Sequence, residues 1–152
     1  DDDGKVMQKK LDRAKLRVDL LNSAKYLKAH ALSNGKLGAT GFCYGGGVVN
    51  WLAVTMGADL QAGVPFYGSA PKSGVEKIKA PLLLNFGGED PRINKQWPGY
   101  EAALKANGVS YEAHVYEGAK HGFHNNSTKR YKEDAAKLAW SRTIAFFKTH
   151  LK

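Results

Sequence analysis

The chain has 152 residues, a length that fits one domain of ordinary size. Hydrophobic residues make up 43% of it and charged residues 24%, which is typical of a soluble globular protein, and no apolar run approaches the length of a membrane span. The net charge is +9, but the lysines are scattered along every predicted helix and no basic run interleaves with aromatic residues. We therefore expect a small anionic substrate or an acidic partner segment, and neither nucleic acid nor membrane as a partner.

The N-terminal residues do not indicate a cellular compartment. The chain does not begin with Met, and residues 1–5 are not a signal peptide, which would need a positively charged start and an apolar core. We expect a processed or truncated chain, so the sequence leaves the compartment open between the cytoplasm and export.

The first third of the chain is helical in composition. Residues 1–4 predict a loop, and residues 6–32 predict one amphipathic helix that ends at the Ser-Asn-Gly run of residues 33–35. The apolar side of that helix consists of residues at helical spacing: Leu16, Leu20, Ala24, Leu27 and Ala31.

The remaining elements alternate between strands and helices. Strands are predicted at residues 36–41, 61–67, 80–86 and 109–117, the last with Val109, Tyr111, Ala113 and Val115 on one side. Helices are predicted at residues 46–56, 97–107 and 130–150, with one helical turn at residues 75–78. This alternation predicts an open parallel sheet covered by helices, a three-layer α/β/α fold. Right-handed crossovers then place the carboxyl ends of all strands at one edge, where ligands bind.

The only cysteine, Cys43, lies at the first of these strand ends. It is the centre of a Gly-x-Cys-x-Gly pattern between a predicted strand and a predicted helix, which is a nucleophile elbow with sulfur in place of oxygen. A helix that begins just after Cys43 would favour the thiolate, and the backbone N–H of Tyr44 would donate to an oxyanion. Gly41 and Gly45 would permit the tight turn, because a side chain there would collide with the neighbouring strand or helix.

An inert thiol and a phosphate-binding loop are the alternatives to an elbow in this segment. A lone cysteine is often buried and unreactive. A glycine-rich loop can also bind phosphate, but this one lacks the Gly-Lys-Ser/Thr ending and the spacing of the dinucleotide fingerprint. The glycine setting of Cys43 favours the elbow over both.

Asp90 and His121 follow the third and fourth predicted strands. Nucleophile, acid and then histidine is the chain order of an α/β-hydrolase. His121 would exchange protons with Cys43 and the leaving group, and Asp90 would orient the imidazole. The alternatives are that Asp90 only forms the turn before Pro91, that Glu89 takes its place, or that His121 has no special role.

A second group of residues could line a pocket. Tyr67, Phe123 and Trp97 are candidates for pocket walls, although ordinary core packing is an alternative for each. The other histidines are expected at the surface or in packing roles, with His124 close enough to contact substrate. No His and acidic residues have the usual metal-ligand spacing.

In these loops the chain resembles the dienelactone hydrolase family of α/β-hydrolases. The matching segments are residues 41–47 (Gly-Phe-Cys-Tyr-Gly-Gly-Gly), 64–68, 80–84 leading to Asp90, and 118–123. The resemblance implies that Cys43, Asp90 and His121 form a catalytic triad. It also implies that esters or lactones are hydrolysed through an acyl-enzyme, with no cofactor or metal.

The resemblance also implies what a full family domain would add. Such a domain has further strands before its first helix, which supply a second oxyanion donor and a glutamate that helps control the thiol. We therefore expect residues 1–152 to be a single partial α/β-hydrolase domain that lacks those N-terminal strands. The strand at residues 36–41 would then be an exposed edge, so we expect a folded species only with the missing N-terminal segment or through self-association.

Lactone-cleaving members carry an arginine shortly after the triad histidine, whereas residues 122–126 contain none.

Two hypotheses from other classes stay open at this point. The cleft could belong to a non-catalytic remnant that binds a small ligand or a partner. Alternatively, an accessible thiolate at Cys43 could act as a redox sensor.

Overall fold

A computed structural model describes residues 2–152, without the side chains of Asp2 and Lys5. The chain divides into two compact units, one that ends at Gly35 and one that spans Lys36–Lys152. Each is described on its own.

The first unit contains two helices where the sequence predicts one. They are α1 (Asp2–Lys9) and α2 (Arg13–Ala29). The interruption has a local cause, since the side chain of Asp12 accepts hydrogen bonds from the backbone N–H groups of Ala14 and Lys15 at 2.9 and 3.1 Å and so caps a new helix. The predicted loop is therefore wrong for residues 2–4, and for Asp1 the prediction lies outside the described residues. The helix also ends at Ala29, before the predicted Ser-Asn-Gly stop.

The second unit is built on four parallel strands. They are β1 (Gly38–Phe42), β2 (Ala62–Phe66), β3 (Leu82–Glu89) and β4 (Tyr111–Lys120), adjacent in that order. All four were predicted, although β3 and β4 extend three residues beyond their predicted carboxyl ends. Pro65 lies next to the last residue of β2, which suits a residue without an N–H group.

Four helices belong to this unit. They are α3 (Tyr44–Met56), α4 (Pro91–Asn94), α5 (Trp97–Ala106) and α6 (Glu133–His150), with short 3₁₀ turns at Gly57–Asp59 and Val75–Lys77. The sequence predicts α3, α5 and α6 but misses α4, a single turn capped by Asp90. Helix α3 begins two residues earlier than predicted, so only Cys43 separates it from β1.

The helices cover both faces of the sheet. A Cβ placed on Gly63 of β2 would lie 3.3 Å from the side chain of Val49 in α3. Val64 and Phe66 point to the other face and share a buried cluster with Ala139 and Phe146 of α6. Because successive side chains of a strand point to opposite faces, α3 and α6 lie on opposite sides of the sheet. The predicted three-layer α/β/α arrangement is confirmed.

The predicted apolar side of the last strand is wrong for Val115, whereas Val109 is buried and Tyr111 and Ala113 are half-buried. Val115 is 60% exposed, whereas Tyr116 and Ala119 are buried. The strand continues past a bulge at Gly118, which has a φ of 63°, where the register with β3 shifts between Gly87 and Glu89. This extension carries the chain to Lys120, directly before His121.

Candidate active site

Cys43 alone forms the turn from β1 into α3. Its φ is 55° and its ψ is −113°, a backbone conformation that side-chain-bearing residues rarely adopt. Its N–H donates to the carbonyl of Phe66 at 3.1 Å, and its own carbonyl accepts from the N–H of Gly47 at 3.2 Å. The thiol is exposed. Strained backbone of this kind is concentrated at functional sites, where it presents a side chain in a fixed direction.

Close backbone contacts explain the glycines of the turn. A Cβ on Gly41 would collide with the carbonyl oxygen of Gly45, as expected for that residue. A Cβ on Gly46 would lie 2.5 Å from the carbonyl oxygen of Phe66, and one on Gly68 would collide with the carbonyl carbon of Gly46. By contrast, a Cβ on Gly45 would meet nothing within 4 Å. The prediction for Gly45 is therefore wrong, and Gly46 is the helix residue that must lack a side chain.

The imidazole of His121 lies between a thiol and a carboxylate. Its Nε2 is 3.1 Å from Sγ of Cys43, and its Nδ1 is 2.5 Å from Oδ2 of Asp90. Asp90 is only 3% exposed, and its Oδ1 also accepts from the N–H of Ile93 at 3.3 Å. The structure thus brings together the three residues that the sequence singled out. Glu89, the alternative acid, is exposed at the end of β3.

The start of α3 adds polarity to the site. Backbone N–H groups in the first turn of a helix point toward its N-terminal end, which carries a partial positive charge. Tyr44 is the first residue of α3, so its N–H lies next to the residue that carries the thiol. The role of this N–H as an oxyanion donor stays a prediction.

Aromatic side chains pack behind the histidine. Tyr67, which is 2% exposed, has its ring centroid 5.0 Å from that of His121, in an edge-on arrangement. Burial raises the pKa of the Tyr67 hydroxyl to about 12, although a hydrogen bond from the backbone of His124 acts in the opposite direction. Phe123 is 0% exposed and packs on Tyr67 and Tyr116, so it contributes to the core and presents no surface to a substrate.

Trp97 lies with a different set of residues. Its ring contacts those of Phe86, Tyr100 and Tyr111 at centroid distances of 5.0, 6.2 and 5.7 Å. These residues belong to β3, α5 and β4. The contacts agree with ordinary core packing, the alternative to a pocket wall for Trp97.

His124 forms part of an aromatic group beside the elbow. Its ring centroid lies 4.9 Å from that of Phe42 and 5.7 Å from that of Trp140. Burial lowers the pKa of His124 below the ordinary value of 6.5. Phe42 directly precedes Cys43 and is 39% exposed, so this group forms an apolar surface next to the thiol.

Arg130, a cationic side chain that the sequence did not point to, lies in the loop that follows His121. Gly122 has a φ of 85°, and a Cβ there would lie 3.7 Å from the guanidinium carbon of Arg130. The loop folds back through hydrogen bonds from the N–H of Asn125 to the Gly122 carbonyl at 2.9 Å and from the N–H of Lys132 to the Phe123 carbonyl at 3.0 Å. Within the described second unit, no carboxylate forms a salt bridge with Arg130. Spacing along the chain gave no sign of this approach, since it depends on the loop conformation.

Other kinds of site are not found near the thiol. Among the described side chains, no group of three or more His, Cys, Asp or Glu residues could hold a metal ion. No helix in residues 2–152 is both long enough and apolar enough to span a membrane. A surface groove of about 590 Å³ lies between residues 70–76 and α5, and its lining contains none of Cys43, Asp90 and His121.

Comparison with known proteins places these features in a family. The family model described as "Dienelactone hydrolase family" matches residues 1–151. A protein of Saccharolobus solfataricus named "Putative carboxymethylenebutenolidase" is 32% identical over 145 residues, which cover 94% of this chain and 55% of that protein. A Bradyrhizobium protein named "Probable 2-oxo-3-(5-oxofuran-2-ylidene)propanoate lactonase" is 31% identical over 155 residues, which cover 93% of this chain and 62% of that protein.

A solved structure gives the same result. The crystal structure of "Putative Dienelactone Hydrolase" from Klebsiella pneumoniae has a TM-score of 0.79 and 30% sequence identity. The match covers 92% of this chain and 63% of that one. The chain therefore spans less than two thirds of each of these three proteins.

Proposed function

Because this chain belongs to the dienelactone hydrolase family, we propose that it cleaves carboxylic esters or lactones with Cys43 as the nucleophile. The observation that carries the proposal is the position of the His121 ring, 3.1 Å from Sγ of Cys43 and 2.5 Å from Oδ2 of Asp90. A nucleophile and a base within hydrogen-bond reach, with the base oriented by a third group, is the arrangement needed for covalent catalysis. The names of the two relatives, a carboxymethylenebutenolidase and a lactonase, support the reaction class.

In the first half of the reaction, Nε2 of His121 takes the proton of the Cys43 thiol. The sulfur attacks the carbonyl carbon, and the carbonyl electron pair moves to oxygen. The N–H of Tyr44 donates to this oxyanion at the start of α3. When the tetrahedral intermediate collapses, the bond to the alkoxide breaks and His121 returns the proton to the leaving oxygen. A thioester on Cys43 remains.

In the second half, water replaces the alcohol. His121 removes a proton from the water as its oxygen attacks the thioester carbonyl. The carbon–sulfur bond then breaks, the acid leaves, and the thiol is regenerated with the proton from His121. Asp90 accepts the Nδ1–H of the imidazole throughout and stabilises its positive charge, and its burial keeps this interaction away from water.

The net charge of the chain and the position of Arg130 favour an anionic substrate. The net charge of the chain is +9, and Arg130 places a guanidinium beside Gly122, the residue after the proposed base. A planar guanidinium binds carboxylate groups well. We infer that the preferred ester or lactone carries a carboxylate. In this proposal Arg130 takes the place of the arginine that residues 122–126 lack.

The experiment compares the intact chain with Cys43→Ala and His121→Ala. Hydrolysis of p-nitrophenyl acetate should be lost in the first variant and fall by roughly a hundredfold or more in the second. Alkylation of Cys43 by iodoacetamide provides a second readout that needs no substrate binding, and it should slow in His121→Ala. Turnover by Cys43→Ala at the rate of the intact chain would overturn the proposal. Peroxide-sensitive thiol chemistry without any turnover would favour a redox role.

A further inference from the structure

Tyr67 lies directly against the proposed base. Its ring meets His121 edge-on, with a centroid distance of 5.0 Å and an angle of 62° between the ring planes. Only 2% of Tyr67 is exposed, so the side chain offers little surface to a substrate. Its principal contact on the site side is therefore with the imidazole.

The hydroxyl of Tyr67 contacts the same loop a second time. The backbone of His124, three residues after His121, lies close enough to this hydroxyl to lower its pKa, against the larger effect of burial. Burial raises the pKa of this hydroxyl to about 12. One side chain thus lies against both the ring of His121 and the backbone that follows it.

The backbone of Tyr67 is itself firmly fixed. Its φ is 37°, and besides Cys43 it is the only non-glycine residue among those described with a positive φ. Its N–H donates to the carbonyl of Asn85 in β3 at 2.7 Å, and its ring packs on Phe123 at 5.4 Å. A backbone strained in this way persists only where its surroundings hold it in place. The side chain therefore starts from a fixed point on the sheet.

The geometry of the imidazole leaves one motion open. Contacts at Nδ1 and Nε2 fix the two ends of the ring, to Asp90 and Cys43 respectively, but they permit rotation about the line that joins those partners. A ring packed against the imidazole opposes this rotation. We propose that Tyr67 is a positioning residue that fixes the rotation of the His121 imidazole about this line, and so keeps Nδ1 directed at Asp90 and Nε2 directed at Cys43. This inference rests on the proposed function of His121 as the base.

The test compares two tyrosine-to-phenylalanine variants in one buried cluster. Tyr67→Phe keeps the ring but removes the hydroxyl that lies near the His124 backbone. Tyr116→Phe is the matched control, because Tyr116 packs on Phe123 at 5.1 Å and its hydroxyl bonds Asn85 at 2.9 Å, on β3. For p-nitrophenyl acetate we expect Tyr67→Phe to lower kcat about fivefold with KM unchanged, and Tyr116→Phe to keep kcat within about twofold.

A larger change should give a larger effect of the same kind. In Tyr67→Leu the ring contact is lost, and we expect kcat to fall roughly a hundredfold with KM unchanged. The rate of Cys43 alkylation by iodoacetamide should fall in the order intact chain, Tyr67→Phe, Tyr67→Leu, and its pH dependence should shift while that of Tyr116→Phe does not. If Tyr67→Leu does not fold, Tyr67→Met, which also lacks the ring, replaces it in the comparison.

Equal kcat values and equal alkylation profiles in Tyr67→Leu, Tyr67→Phe and Tyr116→Phe would overturn the inference. Failure of the proposed function is a separate result, since it would appear as turnover that persists in Cys43→Ala. The alkylation profiles would still report whether Tyr67 acts on the His121–Cys43 pair.

Discussion

A methyl group at Gly46 tests the elbow geometry most sharply. In Gly46→Ala the new Cβ would lie 2.5 Å from the carbonyl oxygen of Phe66 and 2.9 Å from the Cα of Gly68. Both are backbone atoms, so no side-chain rotation relieves the clash, and β2 and α3 must separate. Overpacking of this kind costs about 1–3 kcal/mol. For a chain of this size, about 2 kcal/mol corresponds to a Tm lower by about 4–8 °C.

Gly45→Ala is the matched control. It makes the same chemical change one residue earlier, in the same helix, at a position where a Cβ meets nothing within 4 Å. Alanine is favoured over glycine in helices by up to about 1 kcal/mol, so Tm should stay unchanged or rise. Because α3 follows Cys43 directly, Gly46→Ala should also move the thiol relative to His121 and lower ester hydrolysis.

Thermal unfolding followed by circular dichroism measures this difference. Equal Tm values for the two variants would refute the explanation of the elbow by close backbone contact. A lower Tm for Gly45→Ala than for Gly46→Ala would refute it as well.

Three further predictions concern the side chains around the thiol. Asp90→Asn should lower kcat for p-nitrophenyl acetate by roughly a hundredfold or more, because Asp90 contacts His121. The control Glu89→Gln should keep kcat within about twofold. Equal effects of the two substitutions would contradict the assignment of Asp90 as the residue that orients His121. Arg130→Gln should lower kcat/KM about tenfold for a p-nitrophenyl monoester of succinate but not for the neutral acetate. The control Lys129→Gln should leave kcat/KM for both esters nearly unchanged. Equal losses on both esters in Arg130→Gln would contradict the anionic preference. His124 has a lowered pKa, so its neutral form stabilises the fold above about pH 6.5 and this contribution is lost as the pH falls through the folded-state value. Urea midpoints at about pH 7.5 and about pH 5.5 should therefore differ less in His124→Phe, which keeps the aromatic contacts, than in the intact chain, and an equal difference would refute this cause.

The sequence was informative about the sheet because each strand carries its own local pattern. The run of buried residues in β3 predicts a strand covered on both faces, and Gly108, with a φ of 63°, marks the end of α5. The break at Asp12 could have been found, since aspartate is a common N-cap residue. The side of β4 that is buried could not be read in the same way. It depends on the pairing with β3 and on the bulge at Gly118, neither of which is a local property.

For the site, the positions of Cys43, Asp90 and His121 after the first, third and fourth strands were sufficient to predict that they meet at one edge of the sheet. These positions did not show which glycine must lack a side chain, because that depends on how β2 ends against the first turn of α3. Arg130 was missed for a similar reason. Its approach to Gly122 follows from the hydrogen bonds that fold residues 122–132 back on themselves, and no spacing rule describes them.

Mass spectrometry of the acyl-enzyme tests the central proposal most directly. Intact protein mixed with p-nitrophenyl acetate and quenched with acid within the first turnover should gain the mass of one acetyl group. After digestion, that group should lie on the peptide that contains Cys43. An acetyl group on another residue, or p-nitrophenol release by Cys43→Ala at an unchanged rate, would contradict the assignment of Cys43 as the nucleophile.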